Sequence, residues 1–392
     1  MKSKGLYIIF ITVLIDMIGF GLIIPILPTF AKGDLGASDV MVGLLAASYS
    51  FMQFIFAPFW GGLSDRFGRR PIILTSIVLM GLSYVVFAHS STLAILFIAR
   101  LMGGFGAANI SVAYAYISDS TEPKNRTKAF GFIGAAFGLG FIIGPVFGGI
   151  IKETYNILTL GYAAASLSVF NFILAFIFLP ESLKTFNKTK ALFENPLKKL
   201  TYVFKNEFVG SLLFINFVYI AAFSMMTITA ALLWKEQYNL SDKEVGYMFG
   251  FIGVLIVIIQ GGLIGPVNKR LGDFKMLILG VVLMMIGLVS MPFVPLEYFI
   301  PFELIALAFT AFGNSFLSTP AGSLISKNTS EGEQGMIMGT NQSMGSLGRI
   351  VGPLVGGALY GVNYFWPYVA SGVIMLFVVF LCIRLARIHS SN

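Results

Sequence analysis

Long apolar runs recur along the whole chain, and they restrict its fold more than any other feature. Each run is about 20 residues long, which at a helical rise of 1.5 Å per residue matches the ~30 Å hydrocarbon core of a bilayer. The twelve runs lie near 6–30, 40–60, 71–90, 93–116, 129–151, 158–180, 207–234, 244–267, 275–294, 299–318, 336–359 and 365–386. Strands of a membrane barrel would be about ten residues long and would alternate in polarity. The runs therefore predict twelve membrane-spanning helices.

The composition supports a bilayer as the solvent. Hydrophobic residues make up 57% of the 392 residues, charged residues only 11%, and the mean hydropathy is +0.86. A soluble globular protein has about a quarter of its residues charged. The first run exceeds the 7–15 apolar residues of a cleaved signal sequence and contains Asp16, so we expect it to be retained as a span. The single cysteine, Cys382, excludes an intramolecular disulfide.

The distribution of Lys and Arg predicts the orientation. With the N-terminus inside, the cytoplasmic segments hold twenty of the 26 basic residues, the outer segments hold four, and two lie within spans. This bias is typical of cytoplasmic loops. We therefore expect both termini to be cytoplasmic in a cell (plasma or inner) membrane. The net charge of +8 then needs no nucleic-acid partner.

The chain also repeats itself. LGFIIGPVFGG at 139–149 recurs as LGRIVGPLVGG at 347–357, an offset of 208 residues, and RFG at 66–68 aligns with RLG at 270–272. Six spans separate the copies, so both have the same orientation. We expect an N-terminal six-helix half at 1–180, a cytoplasmic linker at 181–206 and a C-terminal six-helix half at 207–392. Two parallel repeats are typical of secondary transporters; a channel is the alternative, although no filter is evident.

Four motifs carry a resemblance to the major facilitator superfamily. GGLSDRFGRR (61–70) resembles its loop motif between spans two and three, and DMIGFGLIIPILP (16–28) resembles the first-span motif of its twelve-span drug:proton antiporters. ARLMGGFGAA (99–108) resembles the fourth-span motif, and GFIIGPVFGG (140–149) resembles the fifth-span antiporter motif. The motifs cover the first half and the repeat extends the match. The resemblance implies an all-α membrane fold of two pseudo-symmetric six-helix halves.

The loop motif has a dense charge cluster. We expect Arg69 to reach Asp119 at the cytoplasmic end of span four. The resemblance implies that such contacts latch the cytoplasmic side in one transport state; a solvated topological anchor is the alternative. The motif residues are Gly61, Asp65, Arg66, Gly68, Arg69 and Arg70. Lys269 stands where Asp65 would in the second copy, so we expect an asymmetric latch.

The fifth span has a face of small residues. Gly140, Gly144 and Gly148 recur every four residues, with Pro145 and Gly149 beside them. Small residues at this spacing let helix backbones approach closely, and a proline permits a bend. Ordinary close packing is one interpretation. The resemblance implies a bend and an interface characteristic of exporters.

Four ionisable residues lie within spans, where each costs about 2.5–3.5 kcal/mol on insertion scales. Asp16 is near the middle of span one and Arg100 is in span four; we interpret them as a proton-coupling pair, with a static ion pair as the alternative. Glu303 starts span ten, so we expect an interfacial group, with a coupling or substrate role as the alternative. Arg349 aligns with Phe141 and is specific to the second half. These four are the candidates for proton coupling and the substrate cavity.

Polar amides could also line a cavity, although such residues commonly join helices instead. They are Gln53, Asn109, Asn171, Asn216, Gln260, Asn314, Asn341 and Gln342.

Enzymatic chemistry finds little support. The two histidines, His89 and His389, lie near span ends, and the chain has no metalloprotease, nucleotide-binding or paired-thiol motif. We therefore expect no catalytic residues, metal or cofactor. Transport would then use an ion gradient or simple facilitation. An aromatic content of 15% suits a large amphiphilic substrate.

The motifs are most similar to those of tetracycline:proton antiporters and multidrug exporters. The tetracycline exporters carry a functional His in span eight and an acid in span nine, where this chain has Ile256 and Met284, so tetracycline itself is in doubt as a substrate. The resemblance implies monomeric, proton-coupled efflux of a drug-like or amphiphilic small molecule. The alternatives are export of an endogenous metabolite such as a sugar or lipid-like compound, ion-coupled uptake, and a non-transporting sensor.

Overall fold

The computed structural model describes residues 2–122, 126–183, 204, 206–329 and 334–391, and within these ranges the chain is helical without strands. The predicted linker at 181–206 lies outside the described residues except for 181–183, 204 and 206. The α-helices are α1 Lys2–Ile23, α2 Ile26–Gly33, α3 Asp39–Phe67, α4 Arg69–Ala88, α5 Leu93–Ala107, α6 Ile110–Ser120, α7 Arg126–Thr154, α8 Ile157–Phe178, α9 Glu207–Glu236, α10 Asp242–Ile258, α11 Ile264–Ser290, α12 Phe299–Lys327, α13 Gln334–Val362 and α14 Trp366–Ser391.

Local chemistry explains where several helices begin. The side chains of Thr92, Asn156 and Asn206 accept hydrogen bonds from backbone N–H groups of the first turns of α5, α8 and α9. Such caps satisfy donors that have no partner within the helix. Pro25 separates α1 from α2, since proline has no N–H to continue the helical ladder.

Ten segments of the described residues are long and apolar enough to cross a membrane. One of them, Asp242–Phe293, has 52 residues, which at 1.5 Å per residue is about 78 Å and far exceeds one bilayer crossing. The backbone leaves the helical region within it at Gly272, where φ is +77°. This segment contains the predicted spans eight and nine, and α13 covers the predicted span eleven. The helices are thus consistent with twelve spans.

The chain divides into two compact units. Unit 1 comprises Met1–Ala37, Ser48–Asn195 and Ser241–Gly250, and unit 2 comprises Ser38–Ala47, Pro196–Leu240 and Phe251–Asn392. In unit 1, α1 packs against α7 and α8, and α4 packs against α5 and α8. In unit 2, α9 packs against α13, and α11 packs against α12 and α14.

The same glycine-mediated packing occurs in both units, which confirms the internal repeat. In unit 1, added Cβ atoms on the small-residue face of α7 would collide with the backbone or Cβ of α1; in unit 2, those on the equivalent face of α13 would collide with α9. The glycines are Gly140, Gly144 and Gly148 in α7 and, 208 residues later, Gly348, Gly352 and Gly356 in α13. Gly149 lies instead against the start of α10, at Asp242 and Lys243. Pro145 lies inside α7, and its carbonyl is close to Gly246.

Candidate functional site

The carboxylate of Asp16 is held by an amide. Asp16 is half-buried on α1, and the Nδ2 group of Asn171 on α8 donates to its Oδ1 at 2.9 Å. The same Nδ2 group donates to the carbonyl oxygen of Thr12 at 3.0 Å, and Asn171 is completely buried. Asn109 and Tyr49 line a small cavity together with Asp16. Asn171 therefore both joins α8 to α1 and holds the acid.

Arg100 occupies a neighbouring aromatic setting. Its guanidinium lies over the Tyr49 ring, 4.4 Å from the ring centroid, and only 8% of the residue is exposed. Tyr84 and Phe20 line the pocket around it. Gly104, the glycine of the fourth-span motif, makes this possible because a Cβ there would collide with the carbonyl oxygen of Tyr49.

The expected direct ion pair between Asp16 and Arg100 does not occur in the described part of the chain. Each group has its own partners, Asn171 for the acid and the Tyr49 ring for the base. Tyr49 lines the pockets of both. The sequence placed both charges in the same layer of the membrane but contained no information on which faces of α1 and α5 would meet.

Arg349 lies near the centre of α13 among neutral polar groups. The residue is half-buried, and its Nη2 atom donates to Ser346 Oγ at 3.2 Å. Tyr219 of α9 is close enough to interact with Arg349 electrostatically. Nearby, Asn216 of α9 donates to the carbonyl oxygen of Asn341 at 3.1 Å, so this amide does join helices. The donor groups of Arg349 on α13 and Asn216 on α9 therefore lie close together, both near Gly345.

Glu303 lies near the start of α12, as expected from its position in the sequence, but its side chain is enclosed by protein. The residue has no exposed surface, and Trp234 Nε1 donates to its Oε1 at 2.6 Å. Trp234 of α9 is one of the residues that enclose it. The indole partner was not recognised from the sequence.

The loop motif forms an ion-pair network in unit 1, and the expected contact of Arg69 with Asp119 is present. Arg69 Nε is 3.0 Å from Asp119 Oδ2, and Arg69 Nη1 is 2.7 Å from Asp65 Oδ1 and 2.6 Å from Ser64 Oγ. Arg69 is buried, so these contacts are shielded from solvent. Arg70 donates to the carbonyl oxygen of Phe176 and lies over the Phe176 ring.

Glu181, which sequence reasoning missed, completes this network. Its carboxylate accepts from the backbone N–H groups of Arg69 at 3.0 Å and Arg70 at 3.1 Å, at the first turn of α4. A carboxylate at a helix N-terminus accepts hydrogen bonds from backbone N–H groups that have no partner within the helix, and its negative charge interacts favourably with the positive end of the helix dipole. Gly68 has φ +103°, and a Cβ there would lie 2.5 Å from Glu181 Oε2. The sequence contained one sign of this contact, an acidic residue directly after Pro180 at the end of a predicted span.

The second copy of the loop motif keeps an ion pair with its charges exchanged. Asp273 Oδ2 is 2.6 Å from Lys327 Nζ, and Lys327 is 208 residues after Asp119, while Asp273 is 204 residues after Arg69. The preceding residues Gly68 and Gly272 both have positive φ. The two copies therefore share the backbone conformation at the glycine. The expected asymmetry is that the acidic and the basic residue have exchanged positions.

Among the described residues, no group of three or more His, Cys, Asp or Glu side chains is arranged to hold a metal ion. The polar groups described above can exchange protons and form hydrogen bonds.

The comparisons with known proteins agree with this architecture. A family model described as "Major Facilitator Superfamily" matches residues 9–300 and 262–391. The chain is 31% identical to the tetracycline resistance protein, class C, of Escherichia coli, over 93% of this chain and 91% of that protein. It is 30% identical to multidrug resistance protein 2 of Bacillus subtilis (strain 168), over 96% and 94% of the two chains.

A solved structure shows the same fold. The crystal structure of the human organic anion transporter MFSD10 (TETRAN) superimposes with a TM-score of 0.74 at 24% identity, covering 97% of this chain and 99% of that chain. Proteins of this family are multi-pass membrane transporters of small molecules and not enzymes. This multi-pass membrane chain therefore belongs to the major facilitator superfamily.

Proposed function

We propose that this chain is a proton-coupled exporter of drug-like or amphiphilic small molecules. It works by alternating access, as a monomer in the cell membrane, with both termini cytoplasmic. Two six-helix halves, 1–180 and 207–392, are joined by the cytoplasmic linker 181–206. The names of the tetracycline and multidrug resistance relatives support export of this class of substrate.

The observation that carries the proposal is the half-buried carboxylate of Asp16 within α1. Ionisable groups are costly inside a membrane and are kept where they serve function. Asn171 holds one carboxylate oxygen with a neutral amide, and Asp16 lines a small cavity. Asp16 is the proton carrier in this account. Arg100 modulates it through the shared neighbour Tyr49, which replaces the direct pair expected from the sequence.

The remaining candidate residues have supporting roles in the proposal. Arg349, with Tyr219 and Asn216, supplies hydrogen-bond donors to the substrate cavity. The loop motif acts as a latch through Arg69 and Asp119, since an ion pair made in one state only shifts the population of that state. The glycine face of α7 provides the helix interface of an exporter.

Drug sensitivity provides the first test. The protein is expressed in a bacterial strain lacking its major exporters, and sensitivity to structurally unrelated amphiphiles is compared with that of an empty-vector strain. Tetracycline belongs in the panel because Ile256 and Met284 depart from the pattern of its exporters. We expect reduced sensitivity to several amphiphiles and lower dye accumulation, which a protonophore reverses. Greater accumulation of the same compounds would instead indicate uptake and contradict the proposal.

A further inference from the structure

A second buried acid lies in unit 2, away from the groups that the proposed function uses for proton transfer. Glu303 is on the second turn of α12 and Trp234 is near the end of α9; both residues have no exposed surface. Trp234 Nε1 donates to Glu303 Oε1 at 2.6 Å, which links the two helices. The other oxygen, Oε2, is buried without a hydrogen-bond partner in the described residues.

The titratable groups that face Glu303 are tyrosines. Tyr368, on α14, is completely buried, and Tyr238 follows the end of α9; both are close enough to interact electrostatically with Glu303. The Tyr238 ring stacks on Phe299 with centroids 4.0 Å apart, and its hydroxyl donates to the carbonyl oxygen of Val294 at 3.0 Å. Burial, and then the charge of Glu303, raise the pKa of Tyr238 to about 12, so this phenol keeps its proton at physiological pH.

The geometry favours a proton on the free oxygen. A buried carboxylate with one hydrogen bond has lost most of its hydration, and this loss is much more costly for the charged form than for the neutral form. A proton on Oε2 removes the charge, while Oε1 continues to accept from the indole. The described part of the chain gives Glu303 no ion pair that would offset the charge instead.

We propose that Glu303 is a second proton-binding site, which binds one proton on Oε2 while Trp234 acts as the positioning residue for Oε1. The site is separate from Asp16 and belongs to unit 2. Protonation of Glu303 weakens the link between the end of α9 and the start of α12, because the indole hydrogen bond is stronger when its acceptor is charged. Unit 2 then binds one proton at Glu303, in addition to the proton that Asp16 binds in unit 1.

Trp234 offers a direct reporter, because the chain has only three tryptophans. Trp60 and Trp366 are replaced by Phe, and the emission of the remaining Trp234 is titrated in purified protein from about pH 4 to about pH 9, the range over which exposed and buried carboxyls titrate. We expect one pH-dependent step, because the indole contacts the titrating group. Glu303→Gln keeps an oxygen acceptor but cannot titrate, so the step is lost. Glu297→Gln, at an exposed acid six residues earlier, keeps it.

Infrared spectroscopy provides a second measurement that does not need the tryptophan substitutions. The C=O absorption of protonated carboxyls should be lower in Glu303→Gln than in the otherwise unmodified protein, because Asp16 still contributes but Glu303 does not, and it should be unchanged in Glu297→Gln. Trp234 emission that is constant over the pH range, a step that survives Glu303→Gln, or a carboxyl absorption that Glu303→Gln leaves unchanged would overturn the proposal. Neither measurement requires transport, so failure here is distinct from failure of the proposed exporter function.

Discussion

At the scale of single residues, Asp16 is held by a neutral amide and Arg100 by an aromatic ring. An arginine in direct contact would favour the charged carboxylate strongly. Asn171 donates a hydrogen bond without adding charge, so Asp16 can be charged or neutral with a smaller difference in free energy. This is the property that a proton carrier needs.

We predict that Asn171→Ala slows pH-driven transport. The substitution removes a hydrogen bond to a charged group, worth about 1.5–3 kcal/mol, so we expect about a tenfold or larger loss of rate at neutral pH. Ser168→Ala is the control: Ser168 is one turn earlier on α8 and is also buried, and its hydroxyl donates to the carbonyl oxygen of Ala164 in the same helix. Initial rates in vesicles with matched protein content measure the effect. Equal rates for the two variants would exclude Asn171 as a partner that matters.

At the scale of helices, close approach of backbones is the main packing device in each unit. The glycine face of α7 meets α1 next to the segment that carries Asp16, with Met17 against Gly140 and Gly21 against Gly144. This packing fixes how α1 presents its carboxylate. The spacing of the glycines was visible in the sequence, whereas the helix that they face was not.

We predict that Gly144→Ala destabilises the protein. A Cβ at this position would lie 2.5 Å from the Cα of Gly21, and forcing an extra methyl into a packed interior costs about 1–3 kcal/mol. Gly134→Ala, on the same helix, has no atom within 4 Å of its Cβ and serves as the control. Thermal unfolding of the purified variants should show a lower midpoint for Gly144→Ala only. Unchanged midpoints for both would contradict the packing described for α1 and α7.

The exchanged ion pair of Asp273 and Lys327 offers a test of the loop motif at the same scale. We predict that Asp273→Asn lowers transport severalfold and that the double variant Asp273→Arg with Lys327→Asp restores most of it, because the pair then has the order of Arg69 and Asp119. Glu207→Gln is the control. Glu207 forms an ion pair with Arg384 in which both side chains are well exposed, and such pairs contribute about 0–1 kcal/mol. Failure of the double variant to recover activity would show that attraction between the two positions is not their role.

At the scale of the whole molecule, the sequence predicted the fold better than the partners of each charge. The spans, the internal repeat and the family can be recognised from the lengths of the apolar runs and the spacing of the motifs, and both are visible in a single sequence. The pairing of Asp16 with Asn171 and the burial of Glu303 by Trp234 depend on residues 155 and 69 positions away. Such contacts depend on how each helix is rotated about its own axis. The faces of a helix that is apolar on all sides differ little in hydrophobicity, so the sequence does not specify this rotation.

Topology is the whole-molecule prediction. Cys382 is buried, and replacing it by Ser gives a cysteine-free background. We expect Lys190→Cys, in the predicted linker, to react with an impermeant thiol reagent only from the cytoplasmic side, and Leu35→Cys only from the outside. Labelling of intact cells and of inside-out vesicles distinguishes the two. Reaction of both positions from the same side would contradict the twelve-span orientation.

The role of Asp16 as proton carrier is the central claim, and transport by Asp16→Asn in inside-out vesicles tests it most directly. We predict that the variant loses substrate accumulation driven by an imposed pH gradient but still exchanges substrate down its own gradient, because the cavity remains while the proton site is gone. Asp34→Asn, an exposed acid in the same unit, should keep both activities. Full pH-driven accumulation by Asp16→Asn, with its loss in Glu303→Gln, would contradict the account and assign the carrier role to Glu303.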